Sequence, residues 1–283
     1  MPDLIGLIKR WWKHLFTAVL LSLLVVGVIT FLKPRQYLSV ATAVPASSFA
    51  ADRSKIFNDN IQALYSTLGT ADDLDMIVGT GGLDTVYLAI ARRFNLFDHY
   101  KIEEQGEAAI EKAASILKGN TKVMKSGYGE LKIKVWDTDK NLAPELANAI
   151  MDVLQSIHQN LQSAGNEATL SALRSKRDKI KEEHDSIHQF LSRALVEGKP
   201  SVELDARRTM LGEQLQQYEK LIGEYELMVS SKPPVLIIEE PARVTNRPDK
   251  PKRMQIMIAT LILSALFSLL AILVLERRKL SNS

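Results

Sequence analysis

The sequence predicts an α+β fold: two transmembrane helices flank a periplasmic domain that has a membrane-proximal mixed sheet and a long projecting helical hairpin. Three observations lead to this prediction. The 283-residue chain has an uncharged apolar run near each end, a heptad-like repeat in its second half, and short β-prone runs between them. It contains no Cys, which excludes a disulfide framework and any Cys-based metal site.

The apolar runs have the length of membrane spans. Leu15–Leu32 has 18 residues and Met254–Leu275 has 22, and neither carries a charge. At about 1.5 Å per residue they extend roughly 27 and 33 Å, which matches a hydrocarbon core of about 30 Å. A cleaved signal peptide is the alternative for the first run, with Ala41–Ala43 as its small-residue site. The run exceeds the usual apolar core of about 7–15 residues, so an anchor is favoured.

Basic residues predict the orientation of the spans. They occur within Lys9–Lys13 before the first span and within Arg277–Lys279 after the second, which favours cytoplasmic termini. Basic residues on the opposite flanks count for less, because a long segment translocates largely regardless of its charge. The predicted regions are a cytoplasmic N-terminus (1–14), transmembrane helices (15–32 and 254–275), a periplasmic domain (33–253) with its hairpin (141–230), and a cytoplasmic C-terminus (276–283).

Short elements are predicted between the first span and the hairpin. The clearest is a strand at 130–137, where Leu131, Ile133 and Val135 alternate with Lys132 and Lys134. The other predictions, from propensity and from turn or cap residues, are strands at 37–44, 121–125 and 234–239, a helix from Ser47 or Ser48 to Leu68, loop with a short helical turn at 70–82, and helices at 83–97 and 105–117.

The hairpin is predicted from heptad-like spacing. Asp139 or Asn141 can cap its first arm, Pro144 suits the first turn, and Gly198–Pro200 provides the break. Apolar residues then recur on one face of each arm, at Leu170, Leu173, Ile180, Ile187, Leu191 and Ala194 in the first and at Leu204, Leu211, Leu215, Tyr218, Ile222, Tyr225 and Val229 in the second.

An unbroken first arm from Leu142 to Glu197 would be a rod of roughly 84 Å. A rod of this length exceeds what one globular core needs, so we interpret the hairpin as a stalk that meets copies of itself. A helical bundle inside a soluble domain is the alternative. The predicted oligomerisation seam is Leu204, Leu211, Leu215, Tyr218 and Ile222.

A proline-rich segment joins the last predicted strand to the second span. Pro241, Pro248 and Pro251 stiffen the stretch from Glu240 to Arg253. We interpret these prolines as a membrane-proximal coupling motif that holds the span in a fixed position. An ordinary juxtamembrane linker is the alternative.

No residue pattern indicates catalysis. His184 and His188 have the i, i+4 spacing of zinc ligands, but a catalytic zinc needs a third ligand and a cleft, and Asp185 is one methylene shorter than the usual Glu. Gly79–Gly82 lacks the Lys-Ser/Thr of a phosphate-binding loop. Basic residues are interspersed with acidic ones, which gives nucleic-acid binding little support. We therefore expect no enzyme activity and no catalytic, cofactor-binding or metal site.

Several segments, in their order along the chain, resemble the Wzz chain-length determinant family of bacterial polysaccharide co-polymerases. They are Asp3–Ile5 with Lys9–Trp12, Pro34–Tyr37, Lys132–Leu154 (notably Asp137, Asp139, Leu142, Ala143 and Ala147), and the prolines at 241, 248 and 251. The chain is short for the family. It lacks the fused C-terminal tyrosine kinase of export-type members, which favours the kinase-less class.

The resemblance implies a non-enzymatic regulator in the bacterial inner membrane that sets the chain length of an O-antigen-type surface polysaccharide. It implies a homo-oligomeric ring, commonly an octamer, and no cofactor. It also implies a membrane polysaccharide polymerase, the lipid bilayer and the growing lipid-linked polysaccharide as partners. Two alternatives stay open: an export-type adaptor working with a separate kinase and outer-membrane channel, and a periplasmic scaffold or sensor unrelated to polysaccharide.

Overall fold

The computed structural model describes residues 4–46, 71–196 and 201–281. In chain order its elements are α1 (Leu4–Leu32), β1 (Gln36–Pro45), α2 (Ala71–Thr80), α3 (Asp84–Arg93), α4 (Leu96–His99), α5 (Glu107–Gly119), β2 (Thr121–Lys125), β3 (Leu131–Asp137), α6 (Leu142–Val196), α7 (Val202–Ser231), β4 (Leu236–Glu240), β5 (Pro248–Lys250) and α8 (Arg253–Ser281). The predicted α+β class is confirmed. The predicted helix from Ser47 or Ser48 to Leu68 and the break at Gly198–Pro200 lie outside the described residues.

The chain divides into two compact units. The first comprises Met1–Ser39, Val135–Glu145 and Arg243–Ser283, and the second comprises Val40–Lys134 and Leu146–Ala242.

In the first unit, α1 and α8 pack against each other in antiparallel orientation. Gly27 lies beside Met257, and the guanidinium of Arg253 lies over the ring of Phe31, with 4.6 Å from Cζ to the ring centroid. Their apolar side chains are largely exposed, as 78% exposure at Leu32 shows. Within the described part of the chain, two helices are long and apolar enough to cross a membrane, at Arg10–Leu32 and Arg253–Val274.

A third candidate span would require α2 and α3 to act together across a bend of 57°. Both helices instead place apolar residues in the core of the second unit, where Leu74, Ile77, Val86 and Ile90 are buried. The short helical turn predicted at 70–82 is therefore a full helix. At its end, a Cβ on Gly81 would come within 2.8 Å of Val123, so only a hydrogen atom fits there.

The sheet has the strand order β2-β3-β1-β4, and β5 also pairs with β1. β1 is antiparallel to β4 and to β5, with Ala43 opposite Ile238 in β4 and Gln36 opposite Lys250 in β5. The predicted alternation in β3 is confirmed, because Leu131, Ile133 and Val135 are fully buried.

Two carboxylates accept backbone hydrogen bonds at the start of α6 in the first unit. Asp137 Oδ1 accepts from the amide of Asp139, and Asp139 Oδ1 accepts from the amide of Asn141, each at 2.8 Å. These bonds satisfy backbone donors at a helix start, as an N-cap does. α6 then runs unbroken for 55 residues through Gly165, and at about 1.5 Å per residue its length is roughly 82 Å.

Candidate functional site

The long helices α6 and α7 form an antiparallel pair in the second unit. Three exposed ion pairs connect them, at Arg174–Glu226, Arg177–Glu219 and Arg207–Glu183. The position of the partner in α7 falls as the position in α6 rises, which is the register of a hairpin. Exposed pairs contribute roughly 0–1 kcal/mol each, so they contribute little to stability compared with the apolar contacts between the helices.

The apolar seam lies between these two helices of one chain. Leu170 packs in a buried cluster with Ile222, Tyr225 and Met228, at 4–8% exposure. Of the predicted seam residues, Leu211 and Ile222 are buried, each 4% exposed, and Leu204, Leu215 and Tyr218 are half-buried. The seam therefore closes the hairpin of a single chain first, and its part in joining copies remains a prediction.

On the side of the seam that α6 forms, two positions of the heptad pattern carry polar residues, Arg177 and His184. The guanidinium of Arg177 donates to Asp178 and to Glu219, both at 2.8 Å, and these bonds raise the Arg177 pKa. His184 lies opposite Gly212, and its Nδ1 is 3.1 Å from Asp185 Oδ1. Its ring is nearly parallel to that of His188, with centroids 6.4 Å apart. No group of three or more metal-ligating side chains surrounds this pair or occurs elsewhere among the described residues.

A polar contact links α2 to α6 in the second unit. His158 is only 4% exposed, and its Nε2 lies 2.9 Å from the hydroxyl of Thr80. Because that hydroxyl donates to the carbonyl of Met76, it accepts a hydrogen bond from the imidazole. Burial lowers the pKa of His158, so the ring is neutral at neutral pH.

Near the start of the proline-rich segment, the side chain of Asn148 forms the two backbone hydrogen bonds that a neighbouring strand would form. In the second unit, the backbone amide of Ala242 donates to Asn148 Oδ1 at 2.8 Å, and Asn148 Nδ2 donates to the Ala242 carbonyl at 3.3 Å. One amide side chain thus satisfies both backbone groups of Ala242, the second residue after β4.

The rest of the segment is held by β1 and β3 in the first unit. Pro248 pairs with Tyr37 in β1, and it occupies the first position of β5, where proline is tolerated. Trp136 Nε1 donates to Asp249 Oδ2 at 2.7 Å, and the Lys250 ammonium lies 3.7 Å from the Trp136 ring centroid. The segment is therefore not a free polyproline spacer, because part of it is a strand.

Further contacts fix the approach to β5. Ser39 donates through its hydroxyl to the Arg243 carbonyl at 2.7 Å, and Lys140 Nζ donates to Asn246 Oδ1 at 3.1 Å. No sequence pattern predicts that Trp136 contacts Asp249 and Lys250, since a three-residue strand has no measurable periodicity.

No protein-family model and no curated protein matches this chain. Among solved structures it is similar to a full-length bacterial polysaccharide co-polymerase, with 14% identity, a TM-score of 0.42, and coverage of 100% of this chain and 98% of the other.

Two shorter structures are also similar to the chain. One is a fragment of WzzB, a polysaccharide co-polymerase from Salmonella Typhimurium, with 13% identity and a TM-score of 0.30. The other is a mutant of the lipopolysaccharide O-antigen chain-length regulator of Shigella flexneri, with 10% identity and a TM-score of 0.29. Each match covers 76% of this chain and 100% of the other.

Proposed function

We propose that this protein is a non-enzymatic regulator of the chain length of an O-antigen-type surface polysaccharide. In this proposal it acts as an oligomeric inner-membrane co-polymerase beside a separate membrane polymerase. The proposal rests on one observation: three segments that resemble the family are far apart in sequence and lie together in the first unit. Pro34–Tyr37 leads into β1, the Asp137–Asp139 caps start α6, and Pro248 pairs with Tyr37.

The architecture suits a scaffold more than a catalyst. Two apolar helices with exposed side chains provide a surface for lipid or for a membrane polymerase. The hairpin also leaves large apolar side chains exposed outside its own seam, and these can contact neighbouring copies in a ring: Leu161, Phe190 and Leu227. We propose the octameric count only from the family resemblance.

The proposed orientation places both termini in the cytoplasm and residues 33–253 in the periplasm. Because the chain has no native Cys, single cysteines give an unambiguous readout. A membrane-impermeant thiol reagent applied to intact spheroplasts should label Ser192→Cys, on the exposed surface of α6. A cysteine placed within residues 276–283 should react only after the membrane is opened.

Deletion and complementation test the function. Cells that lack the chain should produce a polysaccharide ladder without a preferred length, and restoring the chain should restore the preferred length. A ladder that is unchanged by deletion would overturn the proposal. Loss of all surface polymer, rather than a change in length, would instead favour the export-adaptor alternative.

A further inference from the structure

A shallow cleft of about 570 Å³ opens in the first unit where α8 begins. The residues that line it include Arg35, Lys250, Lys252 and Arg253, with Asp249 as the one acidic residue among them. Four cationic residues thus line the same cleft with a single acidic neighbour.

Within the described part of the chain, Asp249 only partly offsets the positive charge of this cleft. The Asp249 carboxylate accepts from Trp136 Nε1, and across the described part of the chain none of the four cations has an ion-pair partner within 4 Å. Lys250 and Arg253 are held on the rings of Trp136 and Phe31, at 3.7 and 4.6 Å from the centroids. Two of the cations are therefore positioned in advance, and their like charges repel unless an anion binds.

The start of α8 increases the positive potential. The N-terminal end of a helix carries a partial positive charge, and acidic residues in the first turn usually offset it. The first turn of α8 has no acidic residue, and it begins with Arg253 directly after Lys252. The helix end and the side chains therefore act in the same direction, toward binding an anion.

The cleft lies directly beside the apolar surface of the two helices. Leu32 and Met254 are 78% and 76% exposed, and they flank the positions where α1 ends and α8 begins. An anion bound by Arg35 and Lys252 can therefore carry an apolar chain that continues along α1 and α8.

We propose that this cleft binds the phosphate-bearing headgroup of a membrane lipid. Arg and Lys are the side chains best suited to phosphate, and basic residues beside a span attract anionic lipids. This inference does not depend on the proposed function. If both hold, the diphosphate of the lipid that carries the growing polymer is one source of the headgroup, and bulk anionic phospholipid is the other.

The test uses the full-length protein in mild detergent, with bound lipid measured by native mass spectrometry. The probes are phosphatidylglycerol, a polyprenyl diphosphate and inorganic pyrophosphate. The main variant is Arg35→Gln with Lys252→Gln, because these two cations make no ring contact whose loss would disturb packing. Lys176→Gln with Lys179→Gln removes two exposed charges from α6 as a charge-matched control. Lys33→Gln, compared with Arg35→Gln, controls for closeness to the membrane.

We expect the main variant to lose roughly 10- to 30-fold in lipid affinity, since an exposed contact between opposite charges contributes up to about 1 kcal/mol and two such contacts to phosphate are removed. Both controls should bind within about twofold of wild type. The proposal would be overturned if the main variant bound lipid as tightly as wild type, or if Lys33→Gln and Arg35→Gln lost equal affinity. If the double variant fails to fold, the comparison of the two single variants decides.

The probes separate the sources of the phosphate. Tighter binding of polyprenyl diphosphate than of phosphatidylglycerol assigns the cleft to a diphosphate lipid, and the reverse order assigns it to bulk phospholipid. Pyrophosphate that binds as tightly as both lipids would overturn the requirement for an apolar chain. The ladder of the variant is measured separately: lost lipid binding with an unchanged ladder supports the cleft and leaves the proposed function intact.

Discussion

The indole of Trp136 donates a hydrogen bond of 2.7 Å to the carboxylate of Asp249, 113 residues further along the chain. This bond joins β3 to β5, and the ring that makes it also carries Lys250 on its face at 3.7 Å. A three-residue strand has few ladder hydrogen bonds of its own. Side-chain contacts with Trp136 therefore supply much of what holds the chain in place before the second span.

Breaking this bond should loosen β5. Asp249→Ala leaves the half-buried indole N–H without its acceptor, at a cost of about 1–3 kcal/mol in local stability. Hydrogen exchange measured by mass spectrometry should therefore speed up in peptides that cover residues 246–252. Trp136→Phe keeps an aromatic ring for Lys250 and removes the N–H donor, so the double variant should be little worse than either single variant. Additive effects of the two changes would contradict a direct interaction.

The seam gives a sharper contrast between two adjacent residues. Leu211→Asp places a charge where the side chain is 4% exposed, which costs several kcal/mol unless the carboxyl stays protonated. Met210→Asp makes the same chemical change at a side chain that is 50% exposed and should cost little. Thermal unfolding followed by circular dichroism should separate the two variants, and light scattering should show loss of assembly for Leu211→Asp alone. Matching behaviour would show that Leu211 is not in a buried seam.

His158 predicts a dependence of stability on pH. Burial lowers its folded-state pKa below the ordinary value of 6.5, so the fold disfavours the protonated ring. The contribution of the neutral ring is fully present above about pH 6.5 and is lost as pH falls from there through the folded-state pKa. His158→Gln keeps an N–H donor for Thr80 and does not titrate. Its melting temperature should therefore fall less than that of wild type between about pH 7.5 and 5.5, and an equal fall would contradict this role.

Patterns with a local period could be predicted from the sequence, and contacts between distant residues could not. The alternation around Ile133 and the heptads around Leu211 each identified a buried face, because period is a property of neighbouring positions. The heptads could not show that α6 of the same chain buries Leu211. Helix α2 is longer than the predicted short helical turn, because Gly79–Gly82 favoured a loop although Leu74 and Ile77 have the spacing of one helix face.

The candidate site shows the same limit. The prolines identified the segment before the second span, since proline restricts the backbone wherever it occurs and needs no periodic pattern to be recognised. Its pairing with β1, the Asn148 contact and the cation cluster depend on chain reversals that no local pattern encodes.

The coupling role of the proline segment can be tested with Pro248→Gly and Pro251→Gly together. Each proline fixes its own φ near about −65° and restricts the residue before it, whereas glycine frees both positions. Pro248, in β5, pairs with Tyr37 in β1, and Pro251 lies two residues before α8. The change therefore loosens the link between the sheet and the second span. If the chain forms the proposed ring and a polymerase contacts the spans, the position of the spans relative to that ring must be held. We therefore expect an altered length distribution in the polysaccharide ladder while residues 33–253 stay folded.

Pro234→Gly is the matched control, because this exposed proline lies before β4 and outside the link to the span. It frees the backbone to a similar degree per residue, so any general effect of glycine on stability or expression should appear there too. The ladders are compared at equal protein levels, with the fold checked by circular dichroism. If the double variant keeps the wild-type modal length, β5 and its prolines only connect the sheet to α8. A shift in modal length that Pro234→Gly does not share would support the coupling role, in which Pro248 and Pro251 hold the second span in the position that sets polymer length.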